Sequence, residues 1–552
     1  MAGFARAIVE HPLARVLRRR PQGELALALA VCVAGGAAGV AMVAFVNAAI
    51  GGVHETVALA AGFCAAALVA VAARIASGMM FARLGEGALL DVRTQMARRI
   101  LAAPYRRIEA LGAARVQSVI ADDAGKIAEF LVAAPHIVMN AVMVAGCLLY
   151  LAWLSWTSFI LALLVTLAGS AIFHLGNLRA LNDLDAAGKA QDELFGHLEG
   201  LFLGAKELKL NEGRAGAFLE RSLAASVEDV RRLRLRGLRV YVLASSVAMA
   251  LVYGLVGALT FATGEAAAGS TIVFLYLMMP LDSLLATLPH MQQARVSMER
   301  IDRVLADAGD AEPVAGPGRP SFRRLSLKGV GHRYFREAED GVFTLGPIDL
   351  DLAPGEVVML IGGNGSGKTT LAKVLTGLYP PEGGRIEIDG EPVGDDDRSR
   401  QRALFSAVFS DFHLFPTIDG LDLRDDGEPD ETLDERANAL IARLRLASKV
   451  SVENGRLSTR ALSQGQRKRL ALVIAYLEDR PIYVFDEWAA DQDPEFRDVF
   501  YRTLLPELRA RGKAVLAISH DDRYFHLADR CVKLENGAVV EIVAPARESC
   551  GA

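Results

Sequence analysis

Hydrophobic positions along this chain fall into two regimes. Through the first half they form long unbroken stretches, and in the second half they come as short runs set among charges. Lys and Arg are absent from 25–73, 127–178 and 240–294. These windows divide into six apolar stretches at about 25–53, 56–73, 131–154, 158–175, 240–263 and 266–288. Each approaches the ~20 residues that carry a helix across the hydrocarbon core of a bilayer. One such run would suit a buried helix of a soluble core, but six in succession predict an α-helical transmembrane bundle over 1–306. Arg6, Arg15, Arg18, Arg19 and Arg20 precede the first stretch, as in a signal peptide. A signal peptide has an apolar core of only ~7–15 residues and is not followed by five more spans.

The connections alternate in charge. Those near 51–55, 155–157 and 264–265 hold no Lys or Arg, whereas 74–126 holds nine and 179–239 holds eleven. The positive-inside rule then puts both termini and the two long connections in the cytoplasm, with three short loops outside. The long connections carry mixed charge at helical spacing. They read as helices that continue out of the membrane and reverse at 104–115 and 203–214. Within the spans Asp282 stands out, two residues after Pro280. It suits contact with a substrate or a coupled ion, or a place facing a water-filled inward vestibule. His136, Asn140, His174 and His290 are weaker candidates.

A Pro/Gly/Asp-rich spacer at 307–320 separates the membrane half from 321–552. Here 325–334 and 343–352 alternate as strands, and 357–361 reads as a buried strand. It runs into Gly362, Gly363, Asn364, Gly365, Ser366 and Gly367, followed by Lys368, Thr369 and Thr370. The spacing is G-x-x-x-x-G-K-[ST]. Glycines let backbone N–H groups turn in on phosphate oxygens, and the following helix adds its positive end. Lys368 then reaches the terminal phosphates, and the Thr369 hydroxyl ligates Mg²⁺. The loop predicts a nucleoside triphosphate site.

Further along, 481–487 (PIYVFDE) reads as a second buried strand ending in two carboxylates. Asp486 then lies beside the phosphate loop, where it holds Mg²⁺, usually through water. Glu487 falls on the γ-phosphate side as a general base for the attacking water. A third apolar run, 515–519, ends at His520, which suits either a hydrogen bond to the γ-phosphate or a surface position. Tyr334, two strands ahead of the loop, suits adenine stacking or the core. Between the strands lie Leu462, Ser463, Gln464, Gly465 and Gln466 (LSQGQ), opening a helix. This is a second anion-binding helix start, far along the chain from the loop. A head-to-tail homodimer resolves the separation, with each LSQGQ covering the partner's nucleotide.

Composition agrees with this division. Of the chain, 52% is hydrophobic and net charge is −5, with a mean hydropathy of +0.28. That is too apolar for a soluble enzyme of 552 residues, and nothing in it implies nucleic acid as a partner. Cys32, Cys64, Cys147, Cys531 and Cys550 show no metal spacing and read as free thiols.

Together these residues resemble the ATP-binding cassette exporters, across essentially the whole chain. Six spans followed by one nucleotide-binding domain is the half-transporter arrangement. The resemblance implies a type I exporter fold, an α bundle followed by an α/β P-loop domain, with ATP and Mg²⁺ bound. By it, Gly362 to Thr369 correspond to Walker A, 482–487 to Walker B and Tyr334 to the adenine-stacking aromatic. Residues 462–466 correspond to the signature, Asp493 to the D-loop and His520 to the switch histidine. Two departures stand out: Gln464 replaces a glycine of LSGGQ, and Ser410 takes the usual place of the Mg²⁺-ligating Q-loop glutamine. In 407–415 (AVFSDFHLF), that role falls to Ser410, Asp411 or water. The words WAADQDP (488–494), GAKELKLNEGR (204–214) and SHDDRYF (519–525) resemble the cyclic-peptide exporter subfamily. Its members export pyoverdine-type siderophores, syringomycin-type lipopeptides and lasso peptides.

The expected function is therefore ATP-driven export of a cyclic or modified peptide across the bacterial inner membrane, by a multi-pass homodimer embedded in lipid. With about 24 residues before the first span, no leader-peptide protease domain is expected. The alternatives are a lipid or multidrug flippase, an exporter-shaped siderophore importer, and, in another class, an ATP-gated channel or regulatory protein.

Overall fold

The structure is a computed structural model, and it describes residues 22–51, 56–263, 268–313, 321–336, 341–418, 420–421 and 432–544. Cys550 lies outside them, and the four described cysteines are unpaired. By its contacts the chain divides into two units. The first comprises Met1–Met96 and Ala114–Arg303, the second Ala97–Ala113 and Val304–Ala552.

A backbone surrounded by apolar side chains and lipid must satisfy its own N–H and C=O groups, and a helix does so within one segment. The first unit is accordingly built on six long helices: α1 (Gln22–Ile50), α2 (Thr56–Leu101), α3 (Ala124–Leu154), α4 (Trp156–Leu203), α5 (Ala224–Thr263) and α6 (Ala268–Ala308). All six contain a segment long and apolar enough to cross a membrane. At 46 and 48 residues, α2 and α4 run well past the ~20 that a span requires. The expected reversals are breaks between helices. One contains the short helix Tyr105–Leu111, the other the short helices Ala205–Leu210 and Glu212–Ala217. Outward-facing side chains such as Leu68, Trp153 and Phe261 are largely exposed, as a lipid-facing surface requires.

Inside the unit the helices meet through small residues and a few polar pairs. A Cβ on Gly36 of α1 would stand 2.8 Å from the Met139 carbonyl oxygen of α3, so the two backbones touch. The Asn47 amide donates to the Tyr150 hydroxyl at 3.0 Å, and the Asn140 amide donates to Ser283 Oγ at 2.8 Å. Ahead of α3, the buried Asp123 accepts from Ser297 Oγ at 2.8 Å and lies 3.6 Å from Arg300 Nη1 of α6.

The second unit carries twelve strands among its described residues. They are β1 (Leu325–Arg336), β2 (Gly341–Leu352), β3 (Val357–Ile361), β4 (Gly383–Ile388), β5 (Glu391–Pro392), β6 (Phe405–Val408), β7 (Val452–Glu453), β8 (Arg456–Leu457), β9 (Ile482–Asp486), β10 (Ala514–Ile518), β11 (Arg530–Glu535) and β12 (Ala538–Val543). One sheet has the order β2-β1-β4-β5 and is antiparallel. Another has the order β12-β11-β3-β10-β9-β6, with β11, β3, β10, β9 and β6 parallel. The central strands β3, β9 and β10 are almost wholly apolar because both of their faces are covered; β9 and β10 are buried along their whole length. Helices α7 (Lys368–Leu375), α8 (Leu433–Arg443) and α9 (Gln464–Glu478) pack into the two apolar clusters of this unit. Ligands of open parallel sheets gather beyond the carboxyl ends of the strands, and β3, β9 and β10 point theirs at residues 362, 487 and 519.

Candidate nucleotide-binding and hydrolysis site

Strand β3 ends in the glycine loop, whose path depends on missing side chains. Gly362 has φ 147°, and a Cβ there would lie 2.2 Å from the Leu534 carbonyl oxygen. Gly367, at φ 100°, caps α7 and would press a Cβ against the Phe343 ring at 2.9 Å. The buried Lys368 folds back over this loop and donates to Gly362 O at 3.0 Å and Gly363 O at 2.8 Å. Burial pulls its amine below the usual lysine range, while Glu487 and Asp486 oppose that pull. Ser366 Oγ is buried with no hydrogen-bond partner. Asn364, Gly365 and Thr370 complete the turn and the first helical residues.

Asp486 ends β9, directly across from this loop. Its Oδ2 accepts from Thr369 Oγ1 at 3.0 Å and from Ser410 Oγ at 3.4 Å. Its Oδ1 is buried and unpartnered among the described residues. Burial first, then the neighbouring Glu487 charge, raises the carboxyl above its ordinary range, against the two hydroxyls. An orphaned carboxylate oxygen beside two hydroxyls is a donor set for a small hard cation, so these residues fit Mg²⁺. The loop likewise fits the phosphates of ATP: glycines where side chains would clash, a helix start and a lysine.

Glu487 takes a left-handed backbone conformation at φ 51°. Its Oε1 lies 3.2 Å from His520 Nε2, the residue just beyond β10 and Ser519. Both line a cleft of about 310 Å³ together with Arg497, Asp521 and Arg523. Ser463 caps α9 in a reciprocal capping box with Gln466. It is exposed, as are Gln464 and Asp493. The hydrogen bonds of Ser463 and Gln466 close on each other at the start of α9. Asp493 caps the helix Pro494–Val499 through the Phe496 N–H at 2.8 Å and pairs with Arg469. The Tyr334 backbone pairs with Phe343 across β1 and β2, and its side chain lies outside the described residues.

Several contributors do not show in local sequence patterns. Lys468 of α9 is buried, donating to the Glu487 carbonyl at 2.7 Å and pairing with Asp491 at 2.7 Å. Trp488, fully buried, donates from its indole to the Lys468 carbonyl at 2.8 Å. The two therefore hold the start of α9 against the end of β9. Gln492 does the same for Gly465, donating to its carbonyl at 3.0 Å.

Behind α7, the helix Tyr105–Leu111 docks within the second unit. Glu109 pairs with Lys373 at 3.1 Å and accepts a short hydrogen bond from the Tyr379 hydroxyl. Arg106 meets Glu382 at 2.7 Å, and Lys373 lies over the rings of both Tyr105 and Tyr379. Burial pulls the Lys373 amine down, but Glu109, Tyr105 and Asp411 outweigh it and leave the net shift upward. Asp411 follows Ser410, so the field at this helix includes the segment that reaches Asp486. Replacing Glu109 with Ala leaves the mostly buried Lys373 amine and the Tyr379 hydroxyl short of a partner. We predict a loss of about 1–2 kcal/mol from the second unit. A thermal melt of the purified chain should fall by ~2–4 °C per kcal/mol; an unchanged melt would show that the pair is not stabilising.

Comparison with known proteins gives three findings. The family model "ABC transporter" matches residues 345–490, from within β2 through the Walker B strand to Ala490. Over 541 residues the chain is 36% identical to "ATP-binding protein SyrD" of Pseudomonas syringae pv. syringae, covering 92% of this chain and 93% of that protein. The chain belongs to the ATP-binding cassette transporter family. It is also 27% identical to the "ATP-dependent lipid A-core flippase" of Thiobacillus denitrificans, over 84% of this chain and 82% of that one. In fold it is similar to a bacterial Atm1-family ABC exporter with ATP bound, at a TM-score of 0.75 and 18% identity, covering 96% of both chains. This ABC transporter is thus an ATP-driven exporter of half-transporter form: six membrane-crossing helices in one chain with one ATP-binding domain. It is a multi-pass membrane protein, and its ATP-binding domain implies hydrolysis coupled to transport.

Proposed function

We propose that two copies of this chain form an exporter of cyclic or modified peptides: a peptidic siderophore, a lipopeptide or a lasso peptide. In this reading both termini and the ATP-binding unit lie in the cytoplasm, beneath the bacterial inner membrane. The observation that carries it is the joint presence of WAADQDP, GAKELKLNEGR and SHDDRYF in a chain that aligns over nine-tenths of its length with SyrD. The flippase relatives share less identity over less of the chain, so lipid is the second reading.

Each ATP is gripped by Lys368 of one protomer and by Ser463 of the partner subunit, whose exposed cap points its orphan N–H groups at the γ-phosphate. Thr369 and Asp486 would hold Mg²⁺, which would neutralise phosphate charge there. Glu487 accepts a proton from the attacking water, and His520, hydrogen-bonded to Glu487, keeps both in position. Ser410, on the same Asp486 oxygen as Thr369, takes the Q-loop place. Closure of the ATP-bound pair is favoured because ATP contacts both protomers only in the closed state, and a ligand shifts an equilibrium only by such a difference.

Inside-out membrane vesicles provide the test. With ATP they should accumulate an acylated cyclic peptide and leave fluorescent lipid A-core unmoved. Lipid movement without peptide accumulation would replace this reading by the flippase, and ATP-driven loss of peptide from loaded vesicles would replace it by an importer.

A further inference from the structure

We propose that Asp282 forms, with the rings of Phe173 and Tyr241, a binding site for a primary ammonium group carried by the cargo. The inference deepens the peptide-export reading but does not require the cargo to be a peptide. A cavity of about 40 Å³ opens among α4, α5 and α6, and Asp282 is the charged residue on its wall. Thr166, Ser170 and Ser245 also line it, the Ser245 hydroxyl donating to the Val242 carbonyl at 3.0 Å. Thr166 Oγ1 is buried and has no hydrogen-bond partner. Phe173 and Tyr241, whose rings meet edge to face at 5.5 Å, form the aromatic wall.

A carboxylate within a membrane span is costly unless a positive charge or several donors answer it. Among the described residues Asp282 makes no hydrogen bond or ion pair, and its neighbour Ser283 is occupied by Asn140. The chain offers no lysine or arginine in 127–178 or 240–294, which cover the apolar parts of α3 to α6. A second copy would bring the same spans, so dimerisation supplies no counter-charge from them either. Asp282 is itself exposed, so a cation brought by the cargo can reach this carboxylate and supply the charge that these windows lack.

The lining narrows the chemistry. An aromatic wall attracts a weakly hydrated organic cation through its ring faces, beyond what the carboxylate provides. A hard divalent ion such as Mg²⁺ or Ca²⁺ would need several waters to complete its shell, and a cavity of about 40 Å³ lined mostly by apolar side chains has little space for them. The volume admits a few groups of water size, enough for the –NH₃⁺ tip of a side chain. The cargo's body must lie elsewhere, against the apolar spans. Asp282 sits toward the C-terminal end of the apolar part of α6, which in the proposed orientation is the cytoplasmic side, from which cargo enters.

The test uses the full chain in lipid nanodiscs and two probes, decylamine and N-decylacetamide, which differ in charge at the same chain length. Their half-saturating concentrations for stimulation of ATP hydrolysis are compared within each preparation, so differences in protein yield cancel. The wild-type chain should favour the amine at least tenfold. Asp282→Asn should bring the ratio near one, Asp282→Glu should keep it, and Thr166→Val should reduce it by less than Asp282→Asn. A ratio that survives Asp282→Asn, equal response to both probes in the wild type, or no response to the amine would each overturn the assignment. A ratio that changes when Na⁺ is replaced by Li⁺ or K⁺ at constant ionic strength would mark an inorganic-cation site and overturn it as well. Failure of the vesicle experiment with peptide leaves this ratio unaffected, so the two readings fall separately.

Discussion

Glu487→Gln is expected to reduce ATP hydrolysis by about 10²–10⁴-fold, the range a positioned general base contributes. The substitution keeps the size and the left-handed backbone position but removes the carboxylate proposed to accept a proton. Lys468 and Trp488 hold this turn from the other side through main-chain and indole contacts, so its geometry should persist. ATP binding should therefore be intact while the reset step fails, and the variant should accumulate as ATP-bound dimers. Phosphate release and light scattering in the presence of ATP check the two halves of this expectation. A variant hydrolysing at the wild-type rate would remove Glu487 from the role, and a slow variant that stays monomeric in ATP would remove the shared site.

The second large effect is on binding itself. Lys368→Ala should weaken ATP affinity by about 10–100-fold, since a hydrogen bond to a charged group contributes about 1.5–3 kcal/mol. In the structure the Lys368 amine is spent on two loop carbonyls, Gly362 and Gly363. It sits over the loop mouth, already desolvated, and needs only to exchange carbonyl oxygens for phosphate oxygens. Lys368→Arg is no remedy, because a planar guanidinium has no room where a buried amine touches two carbonyls. Equilibrium binding of a fluorescent ATP analogue reads the effect, and unaltered affinity in Lys368→Ala would contradict the assigned contact.

Much of the candidate nucleotide site was legible because phosphate recognition is local. The run from Gly362 to Thr369 depends on a turn, a glycine and a helix start within one stretch, and spacing alone encodes that. Asp486 and Glu487 followed from a strand ending in carboxylates, and Ser463 from a cap ahead of a helix. The six spans were legible because lipid admits few alternatives. Lys468, Trp488 and Glu109 were not, because their parts come from distant packing. Lys468 sits in RKRLAL, which reads as an ordinary charged helix start until Asp491 and the Glu487 carbonyl close over it. Glu109 gave no sign that it would pair with a lysine 264 positions away. Asp282 was visible as an ionisable residue in an apolar stretch, but the aromatic wall facing it comes from α4 and α5, and no periodicity in the sixth stretch reports that.

The assignment of 97–113 to the second unit has a consequence for dissecting the protein. The polypeptide passes from one unit to the other three times, at 96/97, 113/114 and 303/304. A fragment starting near residue 321 would be an ATPase with an open socket, leaving Lys373, Tyr379 and Glu382 facing water where Arg106 and Glu109 belong. Restoring a native catalytic half would take a cut at 303/304 together with a short peptide spanning 97–113 added in trans.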